Sequence, residues 1–394
     1  MLACGGGSAL SVPIYMDSHS TTPVDPRVLE EMLPYFGARF GNASSLDHSY
    51  GHEASGAVEE ARERVAGLVG ARPEEIVFTG GATESDNVAL VGCMDRYADR
   101  GDHIITCATE HKAVLETVRW LEGTGKRVTC LPVDRNGEVD LGGLEEAITD
   151  RTVMVSIMAA NNEIGTIADL GAIGEIAHRH GVLFHTDAAQ AVGHIPVDVN
   201  RMSIDLMSMS AHKMYGPKGV GALYVRGVGP RVRVSPMVHG GGQERNMRSG
   251  SLNVPGIVGF GAAAKIARSE MAGEAGRLGG YRRQMLEGLA DGAGAVLNAD
   301  PRSVLPHNLN VRFEGVEAKA IINSISDTVA ISASSACTAQ SVEASHVLLA
   351  IGLSEEQAHS SIRIGLGRFN EAKDCVTAVH TITGVIQKLV CVTT

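Results

Sequence analysis

Cysteine is sparse and badly placed for cross-linking. The seven (Cys4, Cys93, Cys107, Cys130, Cys337, Cys375 and Cys391) form an odd set with no C-x-x-C pair, which argues against a disulfide framework or a zinc ribbon. Reduced thiols in a cytosol are the simpler expectation. Basic charge is short as well: 34 Lys and Arg stand against 45 Asp and Glu, a net −11. A nucleic-acid groove or an anionic membrane needs a concentrated positive field, so a small molecule or a protein is the better partner. The sequence has no run of about 18 apolar residues to span a bilayer. The N-terminal MLACGGGSALSVPIYMD lacks the basic n-region of a signal peptide, and the expected location is the cytoplasm.

What is present fits a sizeable enzyme. Apolar residues make up 44% of the 394 and charged residues 20%, with 47 glycines for tight turns. That length favours two domains. Between about residues 54 and 225 helical and strand-like segments alternate, the rhythm of a mostly parallel sheet covered by helices. Val58, Ala61, Val65 and Leu68 recur at helical spacing, Arg72-Pro73 breaks the pattern, and Ile76–Thr79 reads as a strand before Gly80-Gly81. Ile104–Cys107, Val128–Leu131, Val153–Met158, Val182–His185 and Leu206–Ser210 are further runs of buried-strand length. Beyond about Ala264 a long charged helix, Ile266 to Leu289, opens a second, α+β region.

Open α/β sheets bind ligands beyond the carboxyl ends of their strands. Polar residues stand there after four runs: Gly80-Gly81-Ala82-Thr83, Thr109-Glu110-His111, Asn161-Asn162-Glu163 and Asp187-Ala188-Ala189-Gln190. Glycines leading into a helix can cradle a phosphate on unpaired N–H groups. Singly, each is more often a turn or a helix cap; four on one sheet edge point to a site. The Leu206 run ends in Ser210-Ala211-His212-Lys213, and lysine is rare here, eight against 26 arginines. A lysine that condenses with an aldehyde must lose its proton, which desolvation and neighbouring positive charge promote. Spacing alone leaves Lys218 as a rival.

These residues together resemble the NifS/IscS-like cysteine desulfurases, group I branch, of the class V aminotransferase family, which are fold-type I pyridoxal-phosphate enzymes. The resemblance covers nearly the whole chain. It is carried by Asp17-Ser-His-Ser-Thr-Thr-Pro23, Gly41-Asn-Ala-Ser-Ser45, Phe78-Thr-Gly-Gly-Ala-Thr-Glu-Ser-Asp-Asn87, Thr109-Glu-His111, Asn161-Asn-Glu-Ile-Gly165, Asp187-Ala-Ala-Gln190, Ser210-Ala-His-Lys213, Gly241-Gly-Gln-Glu-Arg245, Arg248-Ser-Gly250, Ser335-Ala-Cys337 and Ser361-Ile-Arg363. It implies an α/β fold: a large domain, 23–265, with a mostly parallel seven-stranded sheet flanked by helices, and a smaller α+β domain, 1–22 and 266–394, carrying a Cys337 loop.

The resemblance also implies roles. Lys213 would hold pyridoxal phosphate as a Schiff base and move the Cα proton. Asp187 would pair with the ring nitrogen, keeping the ring an electron sink, and Gln190 would contact the phenolic oxygen. His111 would stack on the ring, and Asn162 would touch cofactor or substrate. Ala82, Thr83, Ser210 and His212 would surround the phosphate, joined by Ser251 of a second subunit, which makes the chain a homodimer. Arg363 would grip the carboxylate of L-cysteine. Cys337, in a run of small residues suited to a mobile loop, would attack the substrate sulfur, keep it as a persulfide and pass it to an acceptor protein, such as an iron–sulfur scaffold or sulfur carrier. On this resemblance alone Lys218 goes to a surface turn. Ser251, Ala43, Ala159-Ala160 and Gly365 depart from the usual Thr, Pro, His and Ser. A class V aminotransferase or selenocysteine lyase would share Lys213 and Asp187 without needing Cys337, and a noncatalytic scaffold would need none of them.

Overall fold

The computed structural model describes residues 12–299, 302–333 and 343–393. In chain order the first part runs β1 (Ile14–Tyr15), α1 (Pro26–Met32), α2 (Ser49–Val69), β2 (Ile76–Thr79), α3 (Ala82–Arg96), β3 (His103–Cys107), α4 (Lys112–Gly123), β4 (Arg127–Leu131), α5 (Leu141–Ala147), β5 (Thr152–Ser156), α6 (Leu170–Arg179), β6 (Leu183–Asp187), β7 (Leu206–Ser210) and β8 (Gly221–Val225). Seven of these strands form one sheet in the order β2-β8-β7-β6-β5-β3-β4. All neighbours are parallel except β8, which runs antiparallel to both β2 and β7. The mostly parallel seven-stranded sheet is thus present, and β8 is the strand that the apolar runs did not single out. Gly221 opens it because a Cβ there would fall 2.5 Å from the Met209 carbonyl and 2.7 Å from Gly81 Cα.

Helices cover both faces, so the strands are buried throughout and read as continuous apolar runs rather than alternating ones. Alternate residues face opposite sides. In β6, Phe184 packs with α2, α6 and the start of a long helix, while Leu183 packs with α3 and α4. His185 and Asp187 share the Leu183 side by the two-residue period. Each buried Phe or Leu on these faces contributes about 1.5–3 kcal/mol.

That long helix, α7 (Val254–Ala293), starts well before the expected Ile266. Asn253 caps it by accepting from the Gly256 N–H, and Pro255 sits in the first turn, where its missing N–H is harmless. It ends on Gly294 at φ 66°, a left-handed cap. Its first half joins the sheet core through Ile257, Phe260 and Ala264. Its second half, through Leu278, Met285 and Leu289, joins a separate core. That core is built on β9 (Val296–Leu297), β10 (Asn308–Arg312), α8 (Ala318–Ile325), β11 (Val329–Ala330), β12 (Ser332–Ala333), β13 (Ser361–Gly365) and α11 (Ala372–Thr393), while α9 (His346–Ala350) and α10 (Glu355–His359) pack in a small cluster of their own with Ile164 and Ala299. A four-stranded sheet, β12-β13-β10-β9, and the pair β1-β11 lie here. Met16, just after β1, is buried in this second core, which draws the N-terminal segment across to it. Among the described residues no helix is long and apolar enough to cross a membrane.

Candidate active site

The carboxyl ends of β6 and β7, the start of α3 and the N-terminal segment enclose a cavity of about 680 Å³. Its lining includes Ala82, Thr83, His111, Asn162, Asp187, Gln190, Ser210, His212, Lys213 and Arg363, so ten of the expected positions converge. Two do not. Ser251 is exposed and away from this cavity, and Cys337 lies outside the described residues. Lys218, expected in a surface turn, is exposed in a turn and also reaches the cavity lining, so position alone does not separate it from Lys213.

Lys213 sits in the short helical turn after β7, and its Nζ donates to the carbonyls of His19 and Ser20, at 2.5 and 2.8 Å. Asp187 ends β6 fully inside; its Oδ1 accepts the Ala189 N–H. Burial pushes its carboxyl above the usual range, against the pull of His111 and Lys213. His111 caps α4, with Nδ1 accepting the Ala113 N–H at 3.1 Å. Its ring proton is therefore on Nε2, and burial holds it neutral by lowering its pKa. Burial, aided by Lys213 and Lys218, pushes His212 down to about 4. Helix α3 begins at Gly81 without a side-chain cap, which leaves its first N–H groups to an anion.

Arg363, in β13, brings the second core to this edge. Its Nη1 donates to the Asn162 carbonyl at 2.9 Å, and its Nη2 to Asp17 Oδ1 and Ser20 Oγ at 3.0 and 2.9 Å. Nε is buried and has no hydrogen-bond partner among the described residues. Sequence reasoning missed His19, Ser20, Glu84 and Asp86 as lining residues. His19 was legible only as part of the quoted Asp17–Pro23 motif. Asp86 was likewise legible only as part of the quoted Phe78–Asn87 motif, since a helical Asp is ordinarily a solvated charge; here it is fully buried, and burial together with the Asp187 charge raises its pKa well above the usual range.

A scan against family models matches residues 14–379 to the class-V aminotransferases. The chain belongs to the class-V aminotransferase family. A relative named cysteine desulfurase IscS, from Anaeromyxobacter sp. (strain Fw109-5), is 52% identical over 381 residues, 96% of this chain and 94% of the relative. A solved structure described as a NifS-like protein superposes with a TM-score of 0.89 at 38% identity, covering 95% of this chain and 100% of that one. Another, described as SspA in complex with cysteine, gives 0.80 at 38% identity over 91% and 100%.

Members of this family work with pyridoxal phosphate, and the cavity suits it. The buried carboxylate of Asp187, which accepts the main-chain N–H of Ala189 and lies in the field of His111 and Lys213, matches a protonated ring nitrogen. An uncapped fifteen-residue helix matches a phosphate, and a lysine in the turn that follows β7 matches an aldehyde.

Proposed function

We propose that this protein is a cysteine desulfurase that removes sulfur from L-cysteine, releases L-alanine and holds the sulfur as a persulfide on Cys337 for delivery to an acceptor protein. The observation that carries this reading is the Nε of Arg363, without a hydrogen-bond partner among the described residues, at the rim of a cavity that also holds Asp187 and Lys213. An arginine with a nitrogen that has no partner among the described residues, beside a cofactor cradle, is suited to an amino-acid carboxylate. The name of the curated relative selects cysteine among amino acids.

Pyridoxal phosphate, when bound, supplies an aldehyde for Lys213 and a ring that spreads the negative charge left at Cα. Asp187 would hold the ring nitrogen, Gln190 the ring oxygen and His111 the ring face. The Ala82 N–H and the side chains of Thr83, Ser210 and His212 would hold the phosphate, with the Ser251 hydroxyl of a partner subunit. Arg363 orients the substrate by its carboxylate, with Asn162 beside it, and the Lys213 amine takes the Cα proton. The Cys337 thiolate attacks the substrate sulfur: an S–S bond forms, the C–S bond breaks, and its electron pair stays on the three-carbon fragment, which is protonated and leaves as alanine.

We read the chain as two domains, 23–265 and 1–22 with 266–394; the two cores bridged by α7 support that division. We also read it as cytoplasmic and as a homodimer; the exposed Leu33, Phe36, Phe40, Leu46 and Tyr50 support the dimer, being apolar side chains of the kind a partner covers. Iron–sulfur cluster assembly is the proposed destination of the sulfur. The test is to give the loaded protein L-cysteine and measure alanine and protein-bound persulfide. Lys213→Ala is expected to abolish alanine formation and the visible absorbance of the bound cofactor; Cys337→Ser to keep the absorbance but form no persulfide. Undiminished sulfur release from Cys337→Ser removes Cys337 from the reaction, and a single-chain mass in solution removes Ser251 from the site.

A further inference from the structure

His19 is a hub that the chemistry above leaves without a role. It is buried, with 1% of its surface exposed, and it holds Gln190 twice. Its Nδ1 lies 3.0 Å from Gln190 Oε1, and Gln190 Nε2 donates to the His19 carbonyl at 3.0 Å. On the other side Asn308 Nδ2 donates to His19 Nε2 at 3.1 Å. An amide oxygen only accepts and an amide nitrogen only donates, so the ring proton is fixed on Nδ1 and Nε2 is bare. Both amides thereby set one neutral tautomer. Burial, with the nearby Arg363 charge, lowers the His19 pKa well below the usual range, in agreement with a neutral ring. The same residue's carbonyl receives Lys213 Nζ.

The ring is also locked in place. His307 stacks on it at 4.5 Å between centroids, and His194 stacks on His307 at 4.2 Å while its Nε2 donates to the Lys213 carbonyl at 2.7 Å. Room for this arrangement comes from Gly365. A Cβ there would lie 2.8 Å from His19 Cδ2 and 2.9 and 3.0 Å from the main-chain nitrogens of Ser18 and His19. Those distances are closer than ordinary van der Waals contact allows.

We infer that His19 is the positioning residue for Gln190, fixing which end of the Gln190 amide faces the cavity, and that the absence of a side chain at Gly365 is what admits it. With Oε1 held by His19 Nδ1–H and one Nε2 hydrogen held by the His19 carbonyl, the remaining Nε2 hydrogen is the donor left for an anionic ring oxygen. Without the His19 ring nothing holds Oε1, and with only the main-chain carbonyl of residue 19 left to orient it the amide can present its oxygen to that anion instead. The inference rests on the proposed role of Gln190, which its test separates.

The test uses apoprotein reconstituted with pyridoxal phosphate, reading the dissociation constant and the position and pH midpoint of the visible band. Gln190→Ala is the reference; an unmoved band there overturns the Gln190 role itself and the inference with it. His19→Ala is expected to move the band in the same direction and weaken cofactor binding about fivefold, the effect of losing one hydrogen bond. His19→Asn, whose amide nitrogen stands near the position of Nδ1, is expected to restore most of both. Gly365→Ala, which leaves His19 in the chain but displaces its ring, is expected to reproduce His19→Ala, and the double variant to be no worse than either single. Should His19→Ala fail to fold, His19→Asn and Gly365→Ala carry the same comparison. A band unmoved by His19→Ala or by Gly365→Ala while Gln190→Ala shifts it overturns the inference, as do additive effects in the double variant.

Discussion

Two buried arginines, Arg62 and Arg363, show how the same residue type serves structure in one place and chemistry in another. Arg62 is saturated. Its Nε reaches Glu59 at 3.1 Å, its Nη1 and Nη2 each reach Glu244 at 2.8 Å, Nη1 also reaches the Ile76 carbonyl at 2.8 Å, and its guanidinium lies 4.7 Å over the Phe78 ring. Glu244 takes the Phe78 N–H as well. That pair pins Glu244, Arg245 and Asn246, three successive non-glycine residues at φ 46°, 56° and 65°, a left-handed run that costs free energy and persists only where contacts impose it. Arg363 is equally buried but incomplete, with Nε unmatched. A cation with every nitrogen engaged holds a fold; one with an unengaged nitrogen at a cavity is placed to take a ligand.

Substitutions at the two positions separate these roles. Arg62→Met leaves Glu244 buried without its cation and is expected to cost about 3–5 kcal/mol of unfolding free energy, read by urea denaturation. Adding Glu244→Leu should recover part of that, because an apolar pair avoids the stranded charge; no recovery would mean that the ion pair is not what holds the left-handed run. Arg363→Gln is expected to lower kcat/KM for L-cysteine about a hundredfold, a loss of roughly 3 kcal/mol for a charge-assisted contact, with cofactor affinity nearly unchanged. Equal loss with cysteamine, which has no carboxylate, would place Arg363 among the structural arginines beside Arg62.

A smaller effect tests a buried carboxyl next to the site, Glu110, which precedes the cavity-lining His111. Burial pushes Glu110 up to about 8, while its unfolded value is about 4.3. Between those values the folded protein binds the extra proton, so stability is greatest below the unfolded pKa and falls as pH rises toward 8. Glu110→Gln should flatten the dependence of Tm on pH across that window; an unchanged slope refutes a protonated Glu110. The smallest effect is at Arg119 and Glu116, whose side chains are 68% and 60% exposed. Glu116→Ala should change stability by no more than about 0.5 kcal/mol, which marks the exposed end of the comparison.

Much of this was legible beforehand because parallel sheets bury both faces of each strand, so their strands survive as apolar runs. Leu206–Ser210 agrees residue for residue with β7, whereas β6 starts one residue later than expected and ends two later, taking in Asp187. The start of α7 was hidden because Pro255 and Gly256 look like a break, although proline is well tolerated in a first turn. β8 was not singled out because Gly-Ala-Leu-Tyr-Val is short and opens on glycine.

The sequence by itself determined the parallel sheet and the polar strand ends, since hydrophobic period and turn chemistry are local. Scarcity of lysine helped to single out Lys213. Only the tertiary structure decided which face those ends share, that Arg363 from the second core completes the cavity while Arg62 does not, and that His19 fits against Gly365. Those facts depend on contacts between residues up to 346 positions apart, and no local pattern records which distant backbone a side chain will meet.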